Sequence, residues 1–159
     1  MLMKDKTIRN IRLCCYIALL FCVVWTGFTF KHIVDLLGYG SSSFPIDWSV
    51  GSLLKIVIAI CYLLGSFSMI ALSTMAILNT FKGIRENTVF PRNNVKLLFW
   101  MALASFVHII GYCNLQVLWE DDVFFQLPPT IFVMPFLLLF FAFMYKVAAD
   151  AVEENNLTI

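Results

Sequence analysis

One histidine stands in the middle of an otherwise uncharged stretch. His108 lies in the run 97–118, with Asn114 and Gln116 further along the same run. An ionisable group at membrane depth is a functional candidate by default, and together these three form a candidate intramembrane polar site. Proton relay or metal binding at His108 needs partners. No carboxylate falls in any of the apolar runs, and the second histidine, His32, falls at the edge of one. The alternative is a neutral histidine hydrogen-bonded between helices. Both readings stay open on sequence.

Other chemistry-bearing groups are weaker. Glu120, Asp121 and Asp122 are consecutive, so they cannot all face one cation, and no spaced set of oxygen ligands follows. Five cysteines lie within or at the edges of apolar runs, none in a CxxC pair, which suits packing rather than a disulfide framework. A Gly-rich phosphate loop, HExxH, GxSxG and a cysteine–histidine cluster are all missing. The expectation is a non-enzymatic protein with no catalytic residues, no cofactor and no metal. A net charge of +1 gives no basic face for direct nucleic-acid binding.

The elements that would position these groups follow from hydropathy. Of 159 residues, 61% are hydrophobic and 13% charged, against about 25% charged in soluble domains. Apolar runs near 13–30, 56–78, 97–118 and 127–147 carry no charge before Lys146. Each approaches the roughly 20 residues a helix needs to cross a bilayer. The fold expected is all-α, a single integral membrane domain over 1–159, built as a four-transmembrane-helix antiparallel bundle. Basic residues precede the first run, but it is longer than a signal-peptide core and lacks an A-x-A-like cleavage site. It reads as an uncleaved membrane helix.

Lys and Arg set the orientation. Four precede the first run (Lys4, Lys6, Arg9, Arg12). Four join the second and third runs (Lys82, Arg85, Arg92, Lys96), and Lys146 lies at the end of the fourth. Those nine stand against Lys31 and Lys55 on the other side. Both termini are therefore expected in the cytoplasm. The outer side holds Asp35, Asp47 and the three consecutive acids. Ser49 is an expected N-cap for the second helix, Trp48 and Trp119 suit an interface, and Pro135 is expected to kink the fourth helix.

Small residues recur at heptad spacing on the second run (Ala59, Ser66, Ser73), widened by Gly65, Ser68 and Ala76. The third run offers Ala104, Ser105 and Gly111. Such residues let helix backbones approach, and packing is the reading they favour. In the inner connection, Asn87 suits a left-handed helix end, Phe90 before Pro91 should be extended, and Asn93 or Asn94 can cap the third helix. Val89 and Phe90 are expected to pack back onto the bundle. The tail, from Asp150 to Ile159, leaves the fourth helix and ends in Leu157, Thr158 and Ile159. It reads either as a frayed end or as a strand-compatible segment for a partner.

Asn87-Thr88-Val89-Phe90-Pro91-Arg92-Asn93-Asn94-Val95 resembles the inner-loop signature of the bacterial membrane family called domain of unknown function 2975. Glu153-Glu154-Asn155-Asn156-Leu157-Thr158-Ile159 resembles that family's ending. The resemblance implies bacterial origin, an inner-membrane location and association with a small helix-turn-helix regulator.

The function expected is thus a membrane sensor or adaptor. Its cytoplasmic partner surface would comprise Arg85, Asn87, Phe90, Arg92, Asn94, Glu153, Glu154, Leu157 and Ile159. The bilayer, a cytoplasmic transcription regulator and a second copy of the chain are the expected partners. A small transporter or channel subunit, or an immunity-type protein, is the alternative. One structural expectation accompanies this surface. The inner connection and the tail should meet, pairing Arg85, Arg92 or Lys96 with Glu153 or Glu154, and burying Leu157 and Ile159 on Val89 or Phe90.

Overall fold

The computed structural model describes residues 5–37, 46, 52–86, 88, 90–119 and 124–157, with the side chains of 5, 52 and 155–157 excepted. Ser42, Trp48, Ser49, Asn87, Val89, the acids 120–122 and Ile159 lie outside the described residues, as does the side chain of Leu157. The expectations resting on them are outside it too.

Among the described residues the regular structure is helical. Helix α1 spans Asp5–Leu36, α2 Ser52–Arg85, α3 Asn93–Cys113 and α4 Val133–Leu157. Short 3-10 turns at Leu115–Leu118 and Pro129–Phe132 follow α3 and precede α4. Four segments among the described residues are long and apolar enough to cross a membrane: Lys6–Leu36, Leu53–Arg85, Asn93–Cys113 and Pro129–Glu154. This is the make-up of a multi-pass membrane protein. Phe21, Phe30, Phe136 and Phe143 are more than half exposed, as lipid-facing side chains would be.

The 34 residues of α2 rise about 50 Å at 1.5 Å each. That exceeds a hydrocarbon core of about 30 Å, so the helix extends well beyond the 56–78 run. Lys55 lies in the first turn of α2 and is only 3% exposed. The spanning helices thus hold a buried lysine besides His108.

Close backbone packing among the described helices runs from α1 to α2, α2 to α3 and α3 to α4. The tightest approach is between α2 and α3. A methyl group built on Gly65 would overlap the backbone of His108, and one on Gly111 would overlap the backbone of Tyr62. Ser66 and Ser105 are buried as well. Gly65 and Gly111, one from each small-residue band, thus sit at backbone-to-backbone contacts that larger side chains would prevent.

Helix α3 is displaced from its hydrophobic run. It starts four residues before 97 and ends at Cys113, not 118. Asn114 breaks it: its N–H turns back to the carbonyl of Gly111, and a 3-10 turn follows. That turn carries Val117 and Leu118 into a cluster with Ile58, joined by Leu36, Ile46, Leu115 and Trp119. Trp119 packs on this core as well as marking the end of the segment.

Pro135 does not kink the middle of α4. It is the third residue of that helix, where an N–H would have no intrahelical acceptor. The irregularity a proline demands appears instead as the change from 3-10 to α geometry at Phe132–Val133. At the other end, α4 continues as helix to Leu157, so residues 150–157 are not a separate extended tail.

Candidate functional site

His108 is fixed between helices. Its Nδ1 is 3.0 Å from Ser66 Oγ across the α2–α3 seam. The rings of Trp25, Tyr62 and Tyr112 pack around it at centroid distances of 5.5, 5.4 and 5.9 Å. Gly65 is what lets α3 come close enough for the Ser66 contact. Three threonine hydroxyls of the spans are occupied within their own helices, while that of Thr29 is buried with no partner among the described residues. Thr26, Thr74 and Thr80 each donate to the carbonyl four residues earlier, at 2.7–2.9 Å. Among the described residues no cluster of His, Cys, Asp or Glu could hold a metal, and all five cysteines are free thiols.

The structure does not bring His108, Asn114 and Gln116 into one site. Asn114, 2% exposed, clamps the chain entering the Pro129 turn. Its amide donates to the carbonyls of Ile110 and Gln126, both at 2.9 Å, while its Oδ1 accepts the Gln126 N–H at 2.6 Å. It acts as a short piece of backbone ladder supplied by a side chain. Gln116 is exposed on the 3-10 turn.

The other end of the bundle gathers more of the sequence candidates. Helix α2 closes as the N–H of Thr88 reaches back to the carbonyl of Gly83 at 2.7 Å, a Schellman-type bond. A Cβ on Gly83 would overlap the Thr88 carbonyl oxygen and the Pro91 ring. The α2–α3 connection therefore lies directly on the end of α2. Arg92 occupies the N-cap position of α3, with no side-chain cap. Neither Asn93 nor Asn94 caps that helix. Asn94 is instead inside it and 3% exposed. Its amide donates to the Ala76 carbonyl and Thr80 Oγ1 at 3.0 Å, and to Tyr145 Oη at 3.3 Å. One side chain thereby ties α3 to α2 and α4. Burial between three helices outweighs a cap that water could supply.

Phe90 packs edge-on against Tyr145, with centroids 5.3 Å apart. Arg92 reaches α4 directly: Nη1 lies 2.8 Å from Glu153 Oε2, and Nη2 lies 3.5 Å from Asp150 Oδ1. The expected meeting of the α2–α3 connection with the end of α4 is thus present through Arg92 and Glu153, while Phe90 meets Tyr145, further up α4. Asp150 joins that meeting, a partner that sequence reasoning left out although it lies three residues, one helical turn, before Glu153. Arg85 is exposed at the end of α2, where Lys82 pairs with Glu86 at 3.8 Å. Glu154 is exposed on the adjoining part of α4.

Comparison with known proteins adds no relative: no family model, curated protein or solved structure matches this chain.

Proposed function

We propose that this protein is a non-enzymatic membrane sensor or adaptor, which presents the face built by the α2–α3 connection and the end of α4 to a cytoplasmic partner. In this reading the helices alternate in direction through a bacterial inner membrane, with both termini in the cytoplasm. The partner is a DNA-binding regulator held at the membrane, as the resemblance to the family called domain of unknown function 2975 implies.

The observation that carries the reading is the Arg92 bridge. One guanidinium joins the start of α3 to both Asp150 and Glu153 on α4, so two chain-distant segments form a single charged face. The contacts Tyr62–Gly111, Ser66–His108 and Thr80–Asn94 support the alternating directions, since numbers fall along α3 as they rise along α2. The spanning segments favour this reading over transport: His108 is surrounded by aromatic rings, and its Nδ1 is taken up by Ser66.

Pull-down from detergent extracts tests the reading by comparing the full chain with a chain lacking residues 153–159. The full chain should retain a cytoplasmic regulator and the shortened chain should lose it. Equal capture by both, or none by either, would remove the adaptor reading.

A further inference from the structure

A groove of about 460 Å³ opens between α2, α3 and α4 at the end of the bundle that carries the Arg92 bridge. Small-molecule sites commonly occupy about 300–1,000 Å³. Its wall is mainly apolar, with Phe90, Phe141 and Met144 contributing, and its polar residues are Thr80, Asn94 and Tyr145. None of the residues lining it is charged.

Two hydrogen-bonding capacities are left over at this groove. Asn94 Oδ1 is buried and has no partner among the described residues, although the same side chain's nitrogen has three acceptors. Turning the amide over would not help, because the oxygen would then face the Ala76 carbonyl. The Tyr145 hydroxyl accepts from Asn94 and retains its own hydrogen to donate. A buried acceptor without a partner is costly and calls for an explanation. Here the leftover acceptor and leftover donor belong to neighbouring side chains, and both residues line the apolar groove.

That combination selects a ligand. An alcohol offers one donor and one acceptor on a single oxygen, matching Asn94 and Tyr145 together. A hydrocarbon chain suits Phe141 and Met144. An ionised head would enter a wall with no countercharge, which is strongly unfavourable. We propose that this groove binds a neutral, hydroxyl-bearing acyl lipid of the monoacylglycerol class. The site does not depend on the adaptor reading, which is decided by partner capture.

The test uses the full-length protein in phosphatidylcholine nanodiscs with a monoacylglycerol carrying a diazirine on its chain. Photolabelling should concentrate on peptides containing Phe141, Met144 or Leu98, which line the groove. Unlabelled monoacylglycerol should compete at least about tenfold better than a lysophospholipid or an alkane of equal chain length. Tyr145→Phe keeps the ring and removes the donor; it should weaken competition about tenfold, the loss of one buried hydrogen bond. Ala148→Trp, filling the groove, should abolish the label there. Label spread evenly over the lipid-facing helices, or equal competition by all three competitors on the wild-type protein, would overturn the proposal whatever the variants do.

Discussion

The asparagines divide the work of this molecule between its two ends. Asn114 replaces missing ladder bonds for Gln126, and Asn94 gathers three helices around one amide. Gln116, two residues from Asn114, is exposed and does neither. Asn114→Ala should therefore lower stability by about 1–3 kcal/mol, since it strands the buried partners of a removed side chain. Gln116→Ala should stay within about 0.5 kcal/mol. Thermal unfolding in detergent, compared with wild type, checks both; equal effects would mean the Asn114 clamp does not matter. Asn94 shows why sequence reading stopped short at this scale. An asparagine near a helix start suits a cap, and nothing local distinguishes that from burial. The distinguishing partners, Ala76 and Tyr145, lie 18 and 51 residues away.

At the scale of elements, the α2–α3 seam rests on two glycines. Gly65 and Gly111 each meet the opposing backbone, whereas a Cβ on Gly27 of α1 would meet nothing within 4 Å. Gly65→Leu or Gly111→Leu should force the helices apart and cost at least about 1–3 kcal/mol, with loss of the Ser66–His108 contact. Gly27→Leu should be neutral or slightly stabilising, because glycine is a poor helix former. Thermal midpoints of the three variants, side by side, decide it; a destabilised Gly27→Leu or an unaffected Gly65→Leu would contradict the seam. Both glycines were legible beforehand as members of the small-residue bands on the second and third runs. The ends of α3 were not. Hydropathy reports which residues tolerate lipid, and it rises at Leu97 because Lys96 is charged. The helix itself begins at Asn93, after Pro91, and ends where Asn114 finds a better partner than the next turn.

For the whole molecule, orientation is the consequence most open to measurement. Nine of eleven Lys and Arg fall on one side of the four runs by sequence. Single cysteines can be placed at Lys6, Ser42, Arg85 and Asp121 in a chain whose own cysteines are removed. An impermeant thiol reagent added outside should then label only the Ser42 and Asp121 positions. Labelling at Arg85 from outside would invert or break the proposed topology. The Arg92 bridge is a weaker global restraint. Arg92 is 67% exposed, and each exposed ion pair contributes about 0–1 kcal/mol. Its geometry, rather than its energy, shapes the face.

Sequence alone determined the helical, membrane-type character of this chain, because desolvating a backbone in lipid allows few structures and a helix needs only a long apolar run. It also identified the small-residue seam and the residues Phe90, Arg92 and Glu153 at one end. Only the tertiary structure decided which polar groups meet. It paired His108 with Ser66, gave Asn114 to Gln126, turned Asn94 inward and brought Asp150 to Arg92. Those pairings depend on the rotation and register of whole helices against one another. A change of one residue in register turns a helix by about 100°, enough to exchange an interior partner for lipid.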